Sequence, residues 1–186
     1  LLIGSSNLNY NWQWYRTARY FFSLNEGGFS AGPLLQGLGV TLQISSISLV
    51  FASLVGLIAA LLRLSNSLFA RALARGYVEL IRNTRLLVQL FFVYFVLSPV
   101  LGIERFFSAV LALSLFEGAY ASEILRAGII SIHKGQWEAA FSIGLNTYQT
   151  YRLVVLPLAI RRILPPLTGQ AVSLIKDSAL VSTIAI

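Results

Sequence analysis

The stretch that decides the fold is Leu38–Leu62, LGVTLQISSISLVFASLVGLIAALL, and it contains no charged residue. It is the core of a longer uncharged run over residues 27–62. Because a helix of about 20 apolar residues is long enough to cross a lipid bilayer, this run predicts a membrane-spanning helix. Ala52, Gly56 and Ala60 recur at every fourth position within it, a spacing that favours close contact with a second membrane helix.

The composition of the whole chain agrees with a membrane protein. Of its 186 residues, 56% are hydrophobic and 11% are charged, and the mean hydropathy is +0.74. These values exclude a disordered chain and argue against a soluble domain, in which about a quarter of the residues are charged. The 14 basic and 7 acidic side chains give a net charge of +7. We assign this excess to cytoplasmic loops of a membrane protein rather than to nucleic-acid binding.

Three further apolar segments follow the first along the chain. Together they predict an all-α, polytopic membrane helix bundle with four spans, near residues 34–62, 78–101, 106–127 and 160–186. Arginine and lysine collect in the loops after the first and third spans, whereas the turn between the second and third carries one charge of each sign, at Glu104 and Arg105. The positive-inside rule therefore assigns both basic loops to the cytoplasm, and the Glu104 turn and the N-terminal side to the outside.

Residues 1–33 form a separate N-terminal segment, which we expect on the outer side or at the membrane interface. Its aromatic side chains suit an outer interfacial belt. They suit an ordinary packed outer domain equally well, and the sequence alone leaves both interpretations open. These aromatic residues are Trp12, Trp14, Tyr15, Tyr20, Phe21 and Phe22.

The sequence lacks the short motifs of the common catalytic and nucleotide sites. It has no G-x-x-x-x-G-K-[ST] phosphate loop, no H-E-x-x-H and no G-x-S-x-G. With no cysteine and a single histidine, His133, it offers no cysteine or histidine cluster for a metal ion. We therefore expect this chain to carry no catalytic residue, no metal site and no phosphate-loop ATP site.

Ionisable residues inside the third span mark the first candidate site. Glu117, Tyr120 and Glu123 are spaced three apart and fan over an arc of about 120° on a helix. Counted from Arg126, Glu117 lies roughly 14 Å into the membrane, where a carboxylate that faces lipid costs several kcal/mol. These residues line a translocation path, or they are structural: Glu117 would then bond a neighbouring helix and Glu123 would pair with Arg126.

A second candidate site is the adjacent pair Lys176 and Asp177 inside the fourth span. The pair lies roughly 20 Å along the helix from Arg161, past the bilayer midplane. Charges at that depth are by default a functional hypothesis, although two buried charges can also neutralise each other and hold a bundle together. Lys176 and Glu117 in one cavity would offer a cation and an acid to a zwitterion such as an amino acid.

The third candidate site is the cytoplasmic stretch that follows the third span. Gln136–Ile143 is typical of a short helix, and Gly144 predicts a left-handed residue at its end. Asn146 or its neighbour Thr147 can cap a second helix, which we expect Pro157 to end. The two helices would form a rigid docking elbow, or else lie on the membrane surface as an amphipathic helix.

The spacing within this stretch resembles a known motif. Glu138-Ala139-Ala140, Gly144 and Leu156-Pro157 stand as in the EAA motif of ABC-importer permeases, with Val154 in its aliphatic position. Other stretches are similar to the polar-amino-acid branch of that family, the histidine, glutamine, arginine and general amino-acid uptake permeases. They are Thr41-Leu42, Ile44-Ser45, Tyr77–Thr84, Leu86–Phe92, Glu117–Gly128, Gly135–Trp137 and Lys176-Asp177, so the resemblance covers about residues 34–186.

The resemblance implies the fold and the partners of a type I ABC-importer permease for amino acids, multi-pass in the bacterial plasma membrane. Residues 34–186 would form its transmembrane domain, with the coupling segment at 129–157. A further span normally follows in the family, so we expect the chain to be incomplete at its C-terminal end. The implied partners are a dimer of ATPase subunits that hold ATP and Mg²⁺, a second permease subunit (identical or different), an extracytoplasmic amino-acid-binding protein and the lipid bilayer.

The resemblance also implies roles for individual residues, and no cofactor on this chain itself. The substrate path would include Glu117, Tyr120, Glu123, Lys176 and Asp177. Coupling to the ATPase would involve Gln136, Glu138, Ala139, Ala140, Gly144, Leu156 and Pro157. The alternative is an ion-coupled secondary transporter or channel that uses Glu117 and Lys176-Asp177 as an ion relay, but such a protein has no use for the EAA spacing.

Overall fold

The computed structural model of this chain describes residues 22–25 and 28–184. The chain divides into two compact units, Leu1–Leu42 and Gln43–Ile186. Apart from Phe22, the aromatic residues of the predicted outer belt lie outside the described residues. The assignment of residues 1–33 to the outer face therefore stays a prediction.

A short antiparallel hairpin precedes the first helix. Strand β1 (Phe22–Asn25) pairs with β2 (Gly28–Ala31), and each strand has four residues. The register places Phe22 opposite Ala31. The sequence did not predict this hairpin, because four residues are too few for an alternating pattern to be distinguished from its surroundings.

Helices make up nearly all of the described chain from Pro33 onwards, which confirms the prediction of an all-α membrane bundle. In chain order they are α1 (Pro33–Leu64), α2 (Leu68–Arg82), α3 (Leu86–Phe92), a π turn (Val93–Leu97), α4 (Ser98–Leu101), α5 (Arg105–Ile130), α6 (Lys134–Ser142), α7 (Thr147–Thr150), a π turn (Tyr151–Val155), α8 (Leu156–Asp177) and a 3₁₀ segment (Ser178–Ile184). The longest of them, α1 and α5, correspond to the first and third predicted spans.

The expectation that Pro157 ends a cytoplasmic helix is wrong, since the chain stays helical from residue 147 to residue 184. Proline has no N–H group, so one carbonyl in the preceding turn loses its ordinary donor. The turn before Pro157 widens instead, and the Leu156 N–H donates to the Tyr151 carbonyl oxygen. A π turn of this kind carries the helix past the proline, and the same arrangement precedes Pro99.

The second predicted span starts too early. Residues 78–82 belong to α2, and a bend of 106° separates α2 from the segment that begins at Leu86. The Gln89 side-chain amide braces this bend, since it donates to the Ile81 carbonyl oxygen at 2.7 Å and to the Thr84 hydroxyl at 2.6 Å. The polar residues 82–85, Arg-Asn-Thr-Arg, interrupt the apolar pattern at the break, and they are the sequence signal that would have placed the start of the span at Leu86.

The fourth predicted span corresponds to α8 and the 3₁₀ segment that continues it. Among the described helices, α1 and α5 qualify as membrane spans by length and hydropathy, and the bent pair formed by α2 with α3 and α4 adds a third if it counts as one span. Helix α8 is more polar than these, because it carries Arg161, Arg162, Lys176 and Asp177. Its place in the bundle comes from packing against α5, where Ile163 fits over Gly128.

Small residues let α1 and α5 approach closely, as their spacing predicted. Ala52, Gly56 and Ala60 are all buried. A Cβ atom on Gly56 would lie 2.8 Å from the Ala121 Cβ and 3.0 Å from the Gly118 carbonyl oxygen. Neither neighbour can move without displacing the α5 backbone, so this contact fixes the separation of the two helices.

We expect Gly56→Ala to destabilise the protein, although alanine is the better helix former. The overpacked contact with Ala121 should cost about 1–3 kcal/mol. The matched control is Gly76→Ala, because nothing lies within 4 Å of a Cβ at that position, and it should be neutral or stabilising by about 0.5–1 kcal/mol. Thermal unfolding of the detergent-solubilised protein measures both, and equal melting temperatures for the two variants would contradict this account of the contact.

Candidate functional site

The carboxylate of Glu117 is buried at the contact between α5 and α8. Its side chain is 1% exposed, and one of its oxygens, Oε2, accepts a hydrogen bond from the Gln170 side-chain amide. The other oxygen, Oε1, is buried and has no hydrogen-bond partner among the described residues. Asp177, further along α8, is close enough to interact electrostatically with Glu117. A buried acid with an unfilled acceptor position can receive a donor from a small polar ligand.

Gln170 is a member of this cluster that the sequence analysis missed. Gln170 and Asp177 are seven residues apart, so they lie on the same face of α8 within about 20°. A search for polar residues at this spacing within an apolar segment would have found the pair. Lys176 is rotated by about 100° from Asp177, and its side chain is exposed. The structure therefore brings Glu117 to Gln170 and Asp177, and not to Lys176.

Glu123 is the centre of an ion-pair network nearer the C-terminal end of α5. Its Oε1 accepts a hydrogen bond from Arg126 at 2.5 Å, and its Oε2 accepts one from Arg63, the one charged residue of α1. A third guanidinium, that of Arg82 in α2, lies 3.9 Å from Oε2. The pairing of Glu123 with Arg126 was one of the two alternatives for this residue, and the network joins α1, α2 and α5.

Tyr120 lies beside this network. Its ring packs against Phe116 at a centroid distance of 5.0 Å, and the Arg82 guanidinium lies 5.3 Å from the ring centroid. Tyr120 and Glu123 line a polar cavity of about 360 Å³, whose other lining residues are Arg63, Arg75, Val78, Glu79, Arg82 and Asn83. Glu117 does not line this cavity. The predicted path residues of α5 therefore form two groups, Glu117 in one and Tyr120 with Glu123 in the other.

The predicted docking elbow, formed by α6, Gly144 and α7, has the local geometry that its sequence predicts. The His133 side chain accepts a hydrogen bond from the Gly135 N–H at 3.1 Å and so caps the start of α6. Gly144 follows the helix with φ of +84°, which confirms the left-handed conformation expected of it. Asn146, one of the two predicted caps, forms a reciprocal capping box with Gln149 at the start of α7.

A small apolar contact holds the two arms of the elbow together. Ala140 is buried, and the Trp137 ring packs edge-on against Tyr151 with centroids 4.8 Å apart. The outer surface of the elbow is exposed, as the remaining predicted coupling residues Gln136, Glu138, Ala139, Leu156 and Pro157 all are. Phe141, Ile143 and Tyr148 add large exposed apolar area to the same region. Such a surface is suited to docking against another protein.

A bundle with helices long enough to span a membrane, a buried polar cluster and an exposed elbow has the features expected of a transport permease. This chain belongs to the family of binding-protein-dependent transport system inner membrane components, which matches residues 52–186. It is therefore a membrane protein and a permease subunit of an ABC transporter. Family membership supports this class and gives no support to an ion-coupled secondary transporter.

Individual relatives agree with the family. The chain is 44% identical over 157 residues to the L-cystine transport system permease protein TcyB of Bacillus subtilis (strain 168), covering 83% of this chain and 67% of that protein. It is 40% identical over 156 residues to the glutamine transport system permease protein GlnP of Escherichia coli (strain K12), covering 82% and 71%. A crystal structure of an amino acid ABC transporter with histidines superposes with a TM-score of 0.73 at 34% identity, over 83% of this chain and 76% of the other.

Proposed function

We propose that this permease subunit moves amino acids into a bacterial cell across the plasma membrane, driven by ATP hydrolysis on separate ATPase subunits. The observation that carries the proposal is the elbow of α6, Gly144 and α7, which is exposed, held by a capping box and built on the EAA spacing. The names of the relatives, which refer to cystine and glutamine, support amino acids as the substrate class. ATP-driven uptake by the reconstituted complex is the direct test.

The proposed assembly contains the subunits that are needed to couple ATP hydrolysis to transport. A dimer of ATPase subunits holds ATP and Mg²⁺ and receives the elbow, with the exposed Phe141 and Ile143 in the contact. A second permease subunit, identical to this one or different, forms the other half of the path. An extracytoplasmic amino-acid-binding protein delivers the substrate. This chain itself holds no cofactor in the proposed cycle.

Substrate recognition is proposed at the Glu117 cluster. A free amino acid carries an ammonium group with three N–H donors, and Glu117 Oε1 is a buried acceptor without a partner in the described part of the chain. Asp177 adds a second acid nearby. The substrate carboxylate needs a cation, and Lys176 is the residue proposed for it, although its exposed side chain lies about 100° around α8 from Asp177 and outside the Glu117 cluster. Tyr120 and Glu123 would line the path nearer the cytoplasm.

The proposed orientation can be tested by cysteine labelling, because the chain contains no cysteine. Ser67→Cys lies in the loop between α1 and α2, and Glu104→Cys lies in the turn before α5. A membrane-impermeant thiol reagent should label position 104 in intact cells, and should label position 67 after the cytoplasmic side is opened. Labelling of both positions from the same side would refute the orientation.

A further inference from the structure

Helix α2 presents two opposed surfaces. Its basic side contributes Arg75 and Arg82 to the polar cavity beside Glu123, whereas its apolar side has no part in the proposed transport function. At 100° per residue, Phe69, Leu73 and Leu80 fall within about 40° of one another. Arg71, Arg75 and Arg82 fall within another 40°, and the centres of the two arcs are about 160° apart. The apolar arc is uncovered: its three side chains are 78%, 61% and 68% exposed. A helix with one basic and one apolar arc is typical of a membrane interface.

Contacts with α5 fix which way these arcs face. Ala74 and Val78 are buried where α2 packs against α5. On one side of α2, the Tyr77 hydroxyl donates to the Leu115 carbonyl oxygen at 2.6 Å. On the other side, Arg82 reaches Glu123 at 3.9 Å. Leu115 and Glu123 are about 12 Å apart along α5, so α2 crosses α5 between them.

The proposed orientation, on which this inference rests, runs α5 from the outside to the cytoplasm. The Leu115 side of α2 therefore faces the membrane interior, and the Glu123 side faces the cytoplasm. Tyr77, which bonds Leu115, marks the side of α2 that faces the membrane interior. The centre of the apolar arc lies about 60° around the helix from Tyr77, so the apolar side chains also face the hydrocarbon. The bend of 106° between α2 and the following span sets α2 across the span direction. All three observations agree on a helix that lies in the plane of the cytoplasmic leaflet.

We propose that α2 is an in-plane membrane anchor whose arginines bind anionic phospholipid of the cytoplasmic leaflet. Charge complementarity selects this occupant. From residue 68 to residue 85 the chain carries four arginines against the single acid Glu79. Among the described residues, Arg71 and Arg75 have no hydrogen-bond or ion-pair partner, so their guanidinium groups are open to phosphate. Juxtamembrane arginines attract anionic lipid in this way.

The depth of α2 can be measured with single cysteines that carry a fluorescent label. Leu73→Cys belongs to the apolar arc, and Glu79→Cys, on the polar side of the same exposed helix, is the matched control. In the assembled transporter in phosphatidylglycerol vesicles, acyl-brominated lipid should quench the label at 73, and aqueous iodide should quench the label at 79. If position 73 is shielded from brominated lipid, a protein covers the apolar arc and the anchor is refuted.

The lipid preference is tested by native mass spectrometry of the detergent-solubilised complex titrated with phosphatidylglycerol or phosphatidylcholine. Arg75→Gln should weaken phosphatidylglycerol binding about fivefold, the effect expected of one arginine near an anionic surface. Arg105→Gln, an exposed arginine in the outer turn, should leave binding unchanged, and Arg75→Lys should restore most of it. Equal binding of both lipids, or no effect of Arg75→Gln, would overturn the proposal. Uptake is not a readout here, so a negative result leaves the proposed transport function standing.

Discussion

Replacing Gly144 by valine should leave the permease inserted and assembled but should uncouple ATP hydrolysis from transport. Gly144 has φ of +84°, a conformation that costs a residue with a Cβ atom roughly 1–2 kcal/mol and a β-branched residue more. Nothing lies within 4 Å of a Cβ at this position, so the effect comes from the backbone and not from a clash. Relief of the strain would change the angle between α6 and α7, and the elbow would no longer fit its partner.

The measurement is substrate-stimulated ATPase activity of the purified complex, alongside its subunit composition. Gly102→Val is the matched control and should keep normal stimulation. Gly102 also has a positive φ, +65°, with open space around it, but it lies in the turn before α5 and not in the elbow. Gly144→Asn should retain most of the coupling, since asparagine tolerates the left-handed region. A Gly144→Val complex with normal stimulation would show that the elbow geometry does not carry coupling.

Replacing Glu117 by glutamine should strongly weaken recognition of the substrate while the bundle stays folded. The amide is isosteric and keeps an oxygen that can accept the Gln170 hydrogen bond. It loses the negative charge that is proposed to bind the substrate ammonium group. Loss of one charge-assisted hydrogen bond, about 1.5–3 kcal/mol, corresponds to roughly 10- to 100-fold in apparent affinity.

Uptake of a radiolabelled amino acid measures this effect, and basal ATPase activity reports on folding. Glu104→Gln, in the exposed turn outside α5, is the control for loss of one carboxylate. The double change Lys176→Met with Asp177→Leu extends the test, because two opposite charges that serve only the structure can often be removed together without loss. Normal uptake by the Glu117→Gln variant would remove this residue from the substrate path, and normal uptake by the double variant would leave the pair as structural groups.

The features that the sequence predicted correctly are those that depend on local chemistry. The left-handed conformation of Gly144 and the cap at Asn146 are set by residues a few positions apart. The first span follows from a long uncharged run, and the third from a long segment that is mostly apolar; neither segment has a stable place other than a membrane or a core. The close helix contact predicted from the small residues around Gly56 is also confirmed, because small side chains at every fourth position let another helix backbone approach.

The features that were missed depend on groups that are distant in the sequence. The bond from Gln170 to Glu117 joins residues 53 positions apart, and that from Arg63 to Glu123 joins residues 60 apart. No local pattern selects such partners from among several polar side chains. The end expected at Pro157 failed for a different reason, since a π turn widens the helix ahead of the proline and lets it continue in a way that residue preferences do not reveal.

ATP dependence of transport tests the central claim most directly. The complete complex is reconstituted in vesicles with ATP and Mg²⁺ in the lumen, and the binding protein with a radiolabelled polar amino acid is added outside. Uptake should require both the ATP and the binding protein, and ionophores that collapse proton and sodium gradients should not affect it. Uptake that proceeds without ATP and is driven by an imposed ion gradient would contradict the account.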